Sequence, residues 1–394
     1  MKVLQVIPSL SRAHGGPSNA IWSIARSVAA RGAAVSVVST DNDGPGRRLS
    51  RESRESLAVA AQGVDVVLHG QSSEFYTTSL PGLLWLVKNI RHFDVVHVHA
   101  LFSFMPVAAA WLARLRGVPY VIRPLGTLGA YGLSARRRWI KKLSLMLCER
   151  PLLRAAAAVH CTSDAERSEV LAVCPTARTV VISLSVPPFE PASEAAVRAL
   201  LGARYGGRVV LFLSRLDRKK NVEVLLEAFA LLAPHQTDAT LLVAGDGERD
   251  YVASLKARAD ALGIAARVIW AGQVDGVAKA AALTAATVFA LPSHSENFGI
   301  AAAEALAAGV PCVLSPGVAI ADKVAEWGAG EVADMTPRAT ADALAVYLNS
   351  PQARTAASAA AKRLALAEFS TDVMGERLMT LYRGIGRKLN AAIN

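Results

Sequence analysis

Cysteine is scarce in this chain and never spaced as a metal knot or a disulfide framework requires. The four cysteines, Cys148, Cys161, Cys174 and Cys312, form no Cys-x-x-Cys pair, which excludes the usual zinc spacings and suits a reducing compartment. Long uninterrupted apolar runs are missing too. The window most like a membrane span, residues 299–321, is broken by Glu304, Gly309, Pro311 and Pro316, whereas a spanning helix needs about 20 consecutive apolar residues. Residues 1–8 carry one lysine and a short apolar run leading straight into a Gly-Gly loop. They lack the longer apolar core and small-residue cleavage site of a signal peptide and read as a first strand, so a cytoplasmic location is expected. Neither an RNP-type sequence nor an interleaved aromatic and basic run occurs, which argues against nucleic acid as a partner.

Charge, in contrast, is abundant and unevenly placed. Of the net +11, residues 1–190 hold 22 Lys and Arg against 12 Asp and Glu, a net +10, and residues 191–394 hold 21 against 20, a net +1. A basic N-terminal half implies an anionic partner, and without nucleic-acid motifs that partner is read as an anionic membrane surface. The helical stretch opened by Arg136, Arg137 and Arg138 fits this. Trp139, Ile140, Leu143, Met146 and Leu147 share one face and Arg138, Lys141 and Lys142 another, the pattern of a membrane-surface helix or of a packed helix with a solvated basic face. The protein is therefore expected at the inner face of the membrane as a peripheral protein.

Short Val/Ile/Leu-rich runs alternate with helical stretches along the whole chain, which predicts an α/β fold of parallel sheets covered on both faces by helices. Strands are expected near 2–7, 34–40, 64–69, 94–98, 119–123, 157–162 and 179–182, and in a second series near 209–214, 240–245, 267–271, 287–291 and 311–314. Pro187, Pro188 and Pro191 between the series mark a linker. The predicted organisation is two doubly wound, Rossmann-like domains with an interdomain cleft: a first domain at 1–184, a linker at 185–207, a second domain at 208–370, and a last helix, 371–394, whose apolar Leu378, Leu381 and Tyr382 would let it pack back on the first domain.

The most informative stretch follows the strand at 287–291 and reads Ser-His-Ser-Glu-Asn-Phe-Gly-Ile-Ala-Ala-Ala-Glu, residues 293–304. From Phe298 to Val310 every residue except Glu304 is small or apolar, so this is a buried helix whose one carboxylate needs a partner. Backbone N–H groups near Asn297, Phe298, Gly299 and Ile300 favour an anion, and Glu304, about 7 Å along the axis, is placed to accept hydrogen bonds from ligand hydroxyls. Glu296 and Glu304 form Glu-x7-Glu inside Pro-Ser-x-Ser-Glu-x-Phe-Gly. This resembles the donor-site signature of retaining glycosyltransferases with the GT-B fold, the large glycosyltransferase family 4, and the similarity runs through nearly the whole chain.

The resemblance implies transfer of a sugar from a nucleotide-diphosphate sugar, itself a substrate and not a cofactor, to a glycan or lipid-linked acceptor in bacterial surface or exopolysaccharide synthesis. It assigns further residues. Arg215 and Lys220 match the family's diphosphate clamp, Gly245-Asp246-Gly247 its glycine turn beside the nucleotide, and Val274 the loop near the base. Gly15 and Gly16 match the glycine pair beneath the donor phosphates. Glu296 is assigned to the donor sugar and Glu304 to the ribose. With Arg215 and Lys220 neutralising the diphosphate, no metal is expected; Asp41-Asn42-Asp43 has an Asp-x-Asp look but sits in a Gly/Pro-rich loop where an Asx turn explains it.

On the acceptor side, His97-Val98-His99 ends the fourth strand and occupies the family's His-x-His position. The two imidazoles are read as facing opposite sides, one packed inside and the other looking to the cleft. Arg123 follows on the next strand, and Leu125 stands where many family members have a histidine that hydrogen-bonds the transferred sugar, which leucine cannot do. Two other readings stay open, a GT-B-fold nucleotide-sugar isomerase and a non-catalytic nucleotide-sugar-binding protein.

Overall fold

The computed structural model describes residues 1–11, 16–129 and 138–393, with the side chains of residues 17, 19, 138–140 and 387–393 left aside. The chain divides into two units, Met1–Ser185 with Thr371–Asn394, and Val186–Ser370. Each is built on one all-parallel sheet.

The first unit holds strands β1 (Lys2–Ser9), β2 (Ala34–Thr40), β3 (Asp65–His69), β4 (Val95–His99), β5 (Tyr120–Arg123), β6 (Ala158–Cys161) and β7 (Thr179–Val181) in the order β3-β2-β1-β4-β5-β6-β7. The strands are Val/Ile-rich because parallel strands are covered on both faces; Val3, Leu4, Val6, Val95, Val96, Val121 and Ile122 are fully buried. The last helix, Thr371–Ile393, packs on the helix Gly16–Ala29 of this unit. Gly375 makes the approach possible, since a Cβ there would fall 2.8 Å from the Ser27 carbonyl oxygen. Arg31 Nη2 ties the helix start by donating to the Asp372 carbonyl at 2.8 Å and carboxylate at 3.1 Å. Leu378 and Tyr382 are buried, and Leu381 is half-buried.

The second unit holds β8 (Val209–Leu213), β9 (Thr240–Ala244), β10 (Val268–Gly272), β11 (Val288–Leu291), β12 (Cys312–Leu314) and β13 (Gly330–Val332) in the order β10-β9-β8-β11-β12-β13. The proline-rich stretch after residue 185 is not a free linker. Its helix Glu194–Leu201 buries Val197 and Leu201, and the Ala192 N–H donates to Thr284 Oγ1 at 2.9 Å, so this apolar face makes residues 186–207 part of the second unit. Among the described residues no helix is long and apolar enough to cross a membrane.

Candidate functional site

In the second unit the strand order reverses between β8 and β11, and doubly wound sheets receive ligands outside the carboxyl ends of strands at such a reversal. Two loops leave those ends, residues 214–221 and 292–299. The first is pinned by glycine. A Cβ on Gly245 would lie 1.8 Å from the Ser214 carbonyl oxygen, and one on Gly247 2.0 Å from that of Leu216; only residues without a side chain let these backbones meet. The Leu216 N–H donates to the Asp246 carbonyl at 2.8 Å across the same contact. Arg215 emerges exposed from this fixed turn.

The short turn Arg218–Lys220 is capped by Asp217, whose carboxylate accepts the Lys219 N–H at 2.9 Å. It ends on Asn221 in the left-handed region, φ 55 and ψ 45, which Asn tolerates better than most residues. This geometry aims Lys220 at the second loop, where its Nζ pairs with Glu296 Oε1; the two side chains are 12% and 17% exposed. The loops are also laced by backbone bonds. Ser293 Oγ and the His294 N–H both donate to the Lys219 carbonyl, at 3.0 Å and 2.8 Å, and the Glu296 N–H donates to the Gly317 carbonyl at 2.8 Å.

Helix Ile300–Ala307 starts at Gly299, φ 92 and ψ 56, without a side-chain cap, so its first-turn N–H groups form a ready anion site. Phe298 is buried with its ring edge-on to Phe369 at 5.5 Å and contributes only backbone there. Glu304 accepts from Lys279 Nζ at 2.7 Å. Sequence reasoning missed Lys279, and the signal was present: it is the only charged residue in the helix Gly276–Ala285. Asn297, Ile300 and Val274 are half-buried. One end of one sheet thus brings together Arg215, Lys220, Glu296, an uncapped helix start and Glu304, an arrangement able to receive a diphosphate and a diol.

The first unit differs from expectation. His97 and His99 do not face opposite sides, because residues two apart on a strand share a face. Their ring centroids are 4.2 Å apart and both side chains are fully buried, as are His160 and Arg123, the last with 2% exposure. The register sets His99 beside Arg123, so these two acceptor-side candidates sit inside the unit. Hydrogen bonds set the tautomers of His99 and His160. Gln5 Nε2 donates to the Tyr382 hydroxyl at 3.2 Å, and that hydroxyl also pairs with His97 Nδ1 at 2.7 Å. His99 Nε2 donates to Gln5 Oε1 at 2.5 Å and His160 Nε2 to the Ile182 carbonyl at 2.8 Å. Burial holds all three imidazoles neutral, with His97 and His99 well below the usual range and His160 at about 3; burial also lowers Arg123 to about 10 against the raising influence of Glu166.

Leu125 follows β5 with φ 62 and is half-buried. Its turn is held by Glu166, whose carboxylate accepts from the Gly126 N–H at 2.7 Å, the Thr162 N–H at 2.7 Å and Thr162 Oγ1 at 2.9 Å. Gly16 opens its helix, whereas Gly15 lies outside the described residues. Asp41 is engaged by Arg48 at 2.6 Å, Arg54 at 3.4 Å and the Gln71 N–H at 2.8 Å, and Asn42 Oδ1 accepts the Gly44 N–H at 3.2 Å, an Asx turn. On the basic stretch Arg136 and Arg137 lie outside the described residues. Beyond them Lys142, Leu143, Met146 and Leu147 are exposed, the three apolar side chains by 47%, 59% and 58%.

Two doubly wound parallel sheets with these loops define a two-domain α/β protein of the GT-B class. Comparison with known proteins places it more closely. Residues 196–364 match the family model described as glycosyl transferases group 1, and residues 15–185 the glycosyl transferase 4-like domain. A D-inositol 3-phosphate glycosyltransferase of Corynebacterium urealyticum is 31% identical over 313 residues, 74% of this chain and 72% of that protein. Another, of Kineococcus radiotolerans, is 29% identical over 94% of this chain and 90% of its own length. The crystal structure of Anabaena Alr3699/HepE in complex with UDP and glucose superposes with TM-score 0.78 at 19% identity, covering 98% of this chain and 100% of that one, a likeness of fold. The chain belongs to the group 1 glycosyl transferases, glycosyltransferase family 4, and is a glycosyltransferase.

Proposed function

We propose that this glycosyltransferase moves a sugar, with retention of anomeric configuration, from a nucleotide-diphosphate sugar to a hydroxyl of a glycan or lipid-linked acceptor in bacterial surface or exopolysaccharide synthesis. The observation that carries the donor reading is the convergence of Lys220 and Glu296 at the carboxyl ends of β8 and β11, beside the uncapped helix start at Gly299. The solved structure with UDP and glucose supports the donor class.

The chemistry follows from charge. Breaking the sugar–diphosphate bond leaves negative charge on phosphate oxygens and positive character on the anomeric carbon. Arg215 supplies a fork, Lys220 a point charge and the helix start aligned N–H groups, so this chain's own groups offset the leaving-group charge and the reaction is read as metal-independent. Donor binding exchanges the Lys220–Glu296 pair for Lys220 on phosphate and Glu296 on the sugar hydroxyls, while Glu304, held by Lys279, accepts from the ribose diol. The acceptor oxygen bonds to the anomeric carbon on the leaving-group face as the carbon–phosphate-oxygen bond breaks, and the acceptor's proton passes to the departing diphosphate. His99 and Arg123, being buried, shape the acceptor side through the packing beneath it.

We further propose that the enzyme works at the inner membrane surface as a peripheral protein. Exposed Leu143, Met146 and Leu147 beside Lys142 support this, since each basic residue near an anionic leaflet contributes about 1 kcal/mol. Incubation with a panel of nucleotide sugars and acceptors tests the function. Transfer to an acceptor is expected; interconversion without an acceptor would make the protein an isomerase, and binding without turnover a non-catalytic nucleotide-sugar-binding protein.

A further inference from the structure

A groove of about 480 Å³ opens on the second unit at the rim opposite the site described above. Its floor includes Thr287, immediately before β11, and Gly309, beyond the carboxyl end of helix Ile300–Ala307; its wall is one face of the helix Pro351–Glu368, with Arg354, Thr355, Ser358 and Lys362. Arg354, Ser358 and Lys362 recur every four residues and therefore stand in one row. Two cations and three hydroxyls line the groove, and none of its lining residues is a carboxylate. Arg354 is braced, with Nη1 donating to the Tyr347 carbonyl at 2.9 Å. Gly309 makes room for the other cation: with φ +76, a Cβ there would lie 2.4 Å from Lys362 Cε and 3.0 Å from Ser358 Oγ.

We propose that this groove binds a phosphorylated sugar or polyol. Two cations without acidic partners in the groove favour an anion, and Arg and Lys heads are the usual partners of phosphate oxygens. Their Cα atoms are about 12 Å apart along the helix, so the fitting ligand is longer than inorganic phosphate, with hydroxyls to meet Thr355 and Ser358. The volume suits a ligand of that size. The groove and the Lys220 site lie beyond opposite ends of β11, whose four residues alone span about 10 Å, so the groove is separate from the Lys220 site. Both β11 and helix Ile300–Ala307 run from one site to the other, giving a bound ligand a rigid mechanical link to Glu296 and Glu304. Phosphorylated sugars are the chemical precursors of nucleotide-sugar donors, so such a ligand would report donor supply.

Isothermal titration of the full chain with a hexose 1-phosphate, in phosphate-free buffer, tests this. The wild type binds, and Arg354→Ala and Lys362→Ala each weaken binding about tenfold or more through loss of a charge-assisted hydrogen bond. Lys220→Ala, altered at the other rim, binds as the wild type does. The unphosphorylated hexose gives no heat, and inorganic phosphate binds more weakly than the sugar phosphate. Lys362→Gln, which keeps the stem over Gly309, repeats the loss and separates charge from packing. Absence of binding to the wild type at millimolar ligand, equal binding by the Arg354 and Lys362 variants, or loss of binding in Lys220→Ala would overturn the proposal.

Discussion

Acid should loosen the first unit before the second, because three fully buried histidines are held neutral in one cluster. Their folded pKa values lie below the unfolded value of 6.5, at about 3 for His160 and in the same direction for His97 and His99. Above pH 6.5 neither state takes up protons at these positions and nothing is lost. Below it the unfolded chain binds protons that the folded one refuses, so stability falls as pH drops, by about 1.4 kcal/mol per pH unit per histidine. For three histidines the slope approaches about 4 kcal/mol per pH unit, a large share of the roughly 5–15 kcal/mol by which proteins are stable. The second unit buries no histidine: His235 and His294 are both exposed. Hydrogen exchange between pH 7 and 5.5 should therefore show protection lost first in β4, β5, β6 and the last helix, which Tyr382 ties to His97. His160→Gln, able to keep a donor near the Ile182 carbonyl, should cut the slope by about one proton, a third of the total. A pH-independent stability over this range, or equal loss in both units, would refute the reasoning.

Glu304→Gln should weaken a ribonucleoside diphosphate about tenfold while leaving the affinity for its 2′,3′-dideoxy analogue unchanged, as expected for loss of a charged acceptor to a diol; equal losses for both ligands would remove Glu304 from the ribose. Leu125→Trp should obstruct the donor sugar more than the free nucleotide, measured as the ratio of the two affinities, and an unchanged ratio would move Leu125 away from the sugar. Vesicles containing anionic lipid should bind the protein at low salt and release it as salt rises. Replacing Lys141 and Lys142 by Gln, with Leu143 and Met146 by Ser, should abolish that binding without lowering the melting temperature, and retention of binding would place the membrane contact elsewhere.

The fold was legible because parallel strands announce themselves as Val/Ile runs. Twelve of the thirteen strands fall within a residue or two of their expected places; the exception, β13, reads Gly-Glu-Val over three residues and has no apolar run to find. The loops after β8 and β11 were legible through the spacing of Arg215, Lys220, Glu296 and Glu304. Their pairing was not, since nothing in spacing says that Lys220 meets Glu296 or that Lys279 meets Glu304. The histidines show another limit. Strand alternation alone puts His97 and His99 on one face, but the partners that bury them, Gln5, Arg123, His160 and Tyr382, come from four distant segments brought together only by the folded sheet and the returning helix. The same holds for residues 186–207, whose prolines suggest a linker while Val197 and Leu201 find a surface to pack on.

Central to the account is that the Lys220 ammonium leaves Glu296 to hold the donor's diphosphate, and the most direct measurement is turnover of a nucleotide-sugar donor by wild type and Lys220→Ala side by side, with melting temperature recorded for both. Removing one such charge stabiliser from a transition state costs about 10²–10³-fold in rate. Because the variant also strands a mostly buried Glu296, the double variant Lys220→Ala, Glu296→Gln should recover melting temperature but not turnover. That pattern would assign the lysine to the diphosphate. Turnover by Lys220→Ala near the wild-type rate, or turnover restored together with stability in the double variant, would contradict the account and reduce the pair to a structural contact.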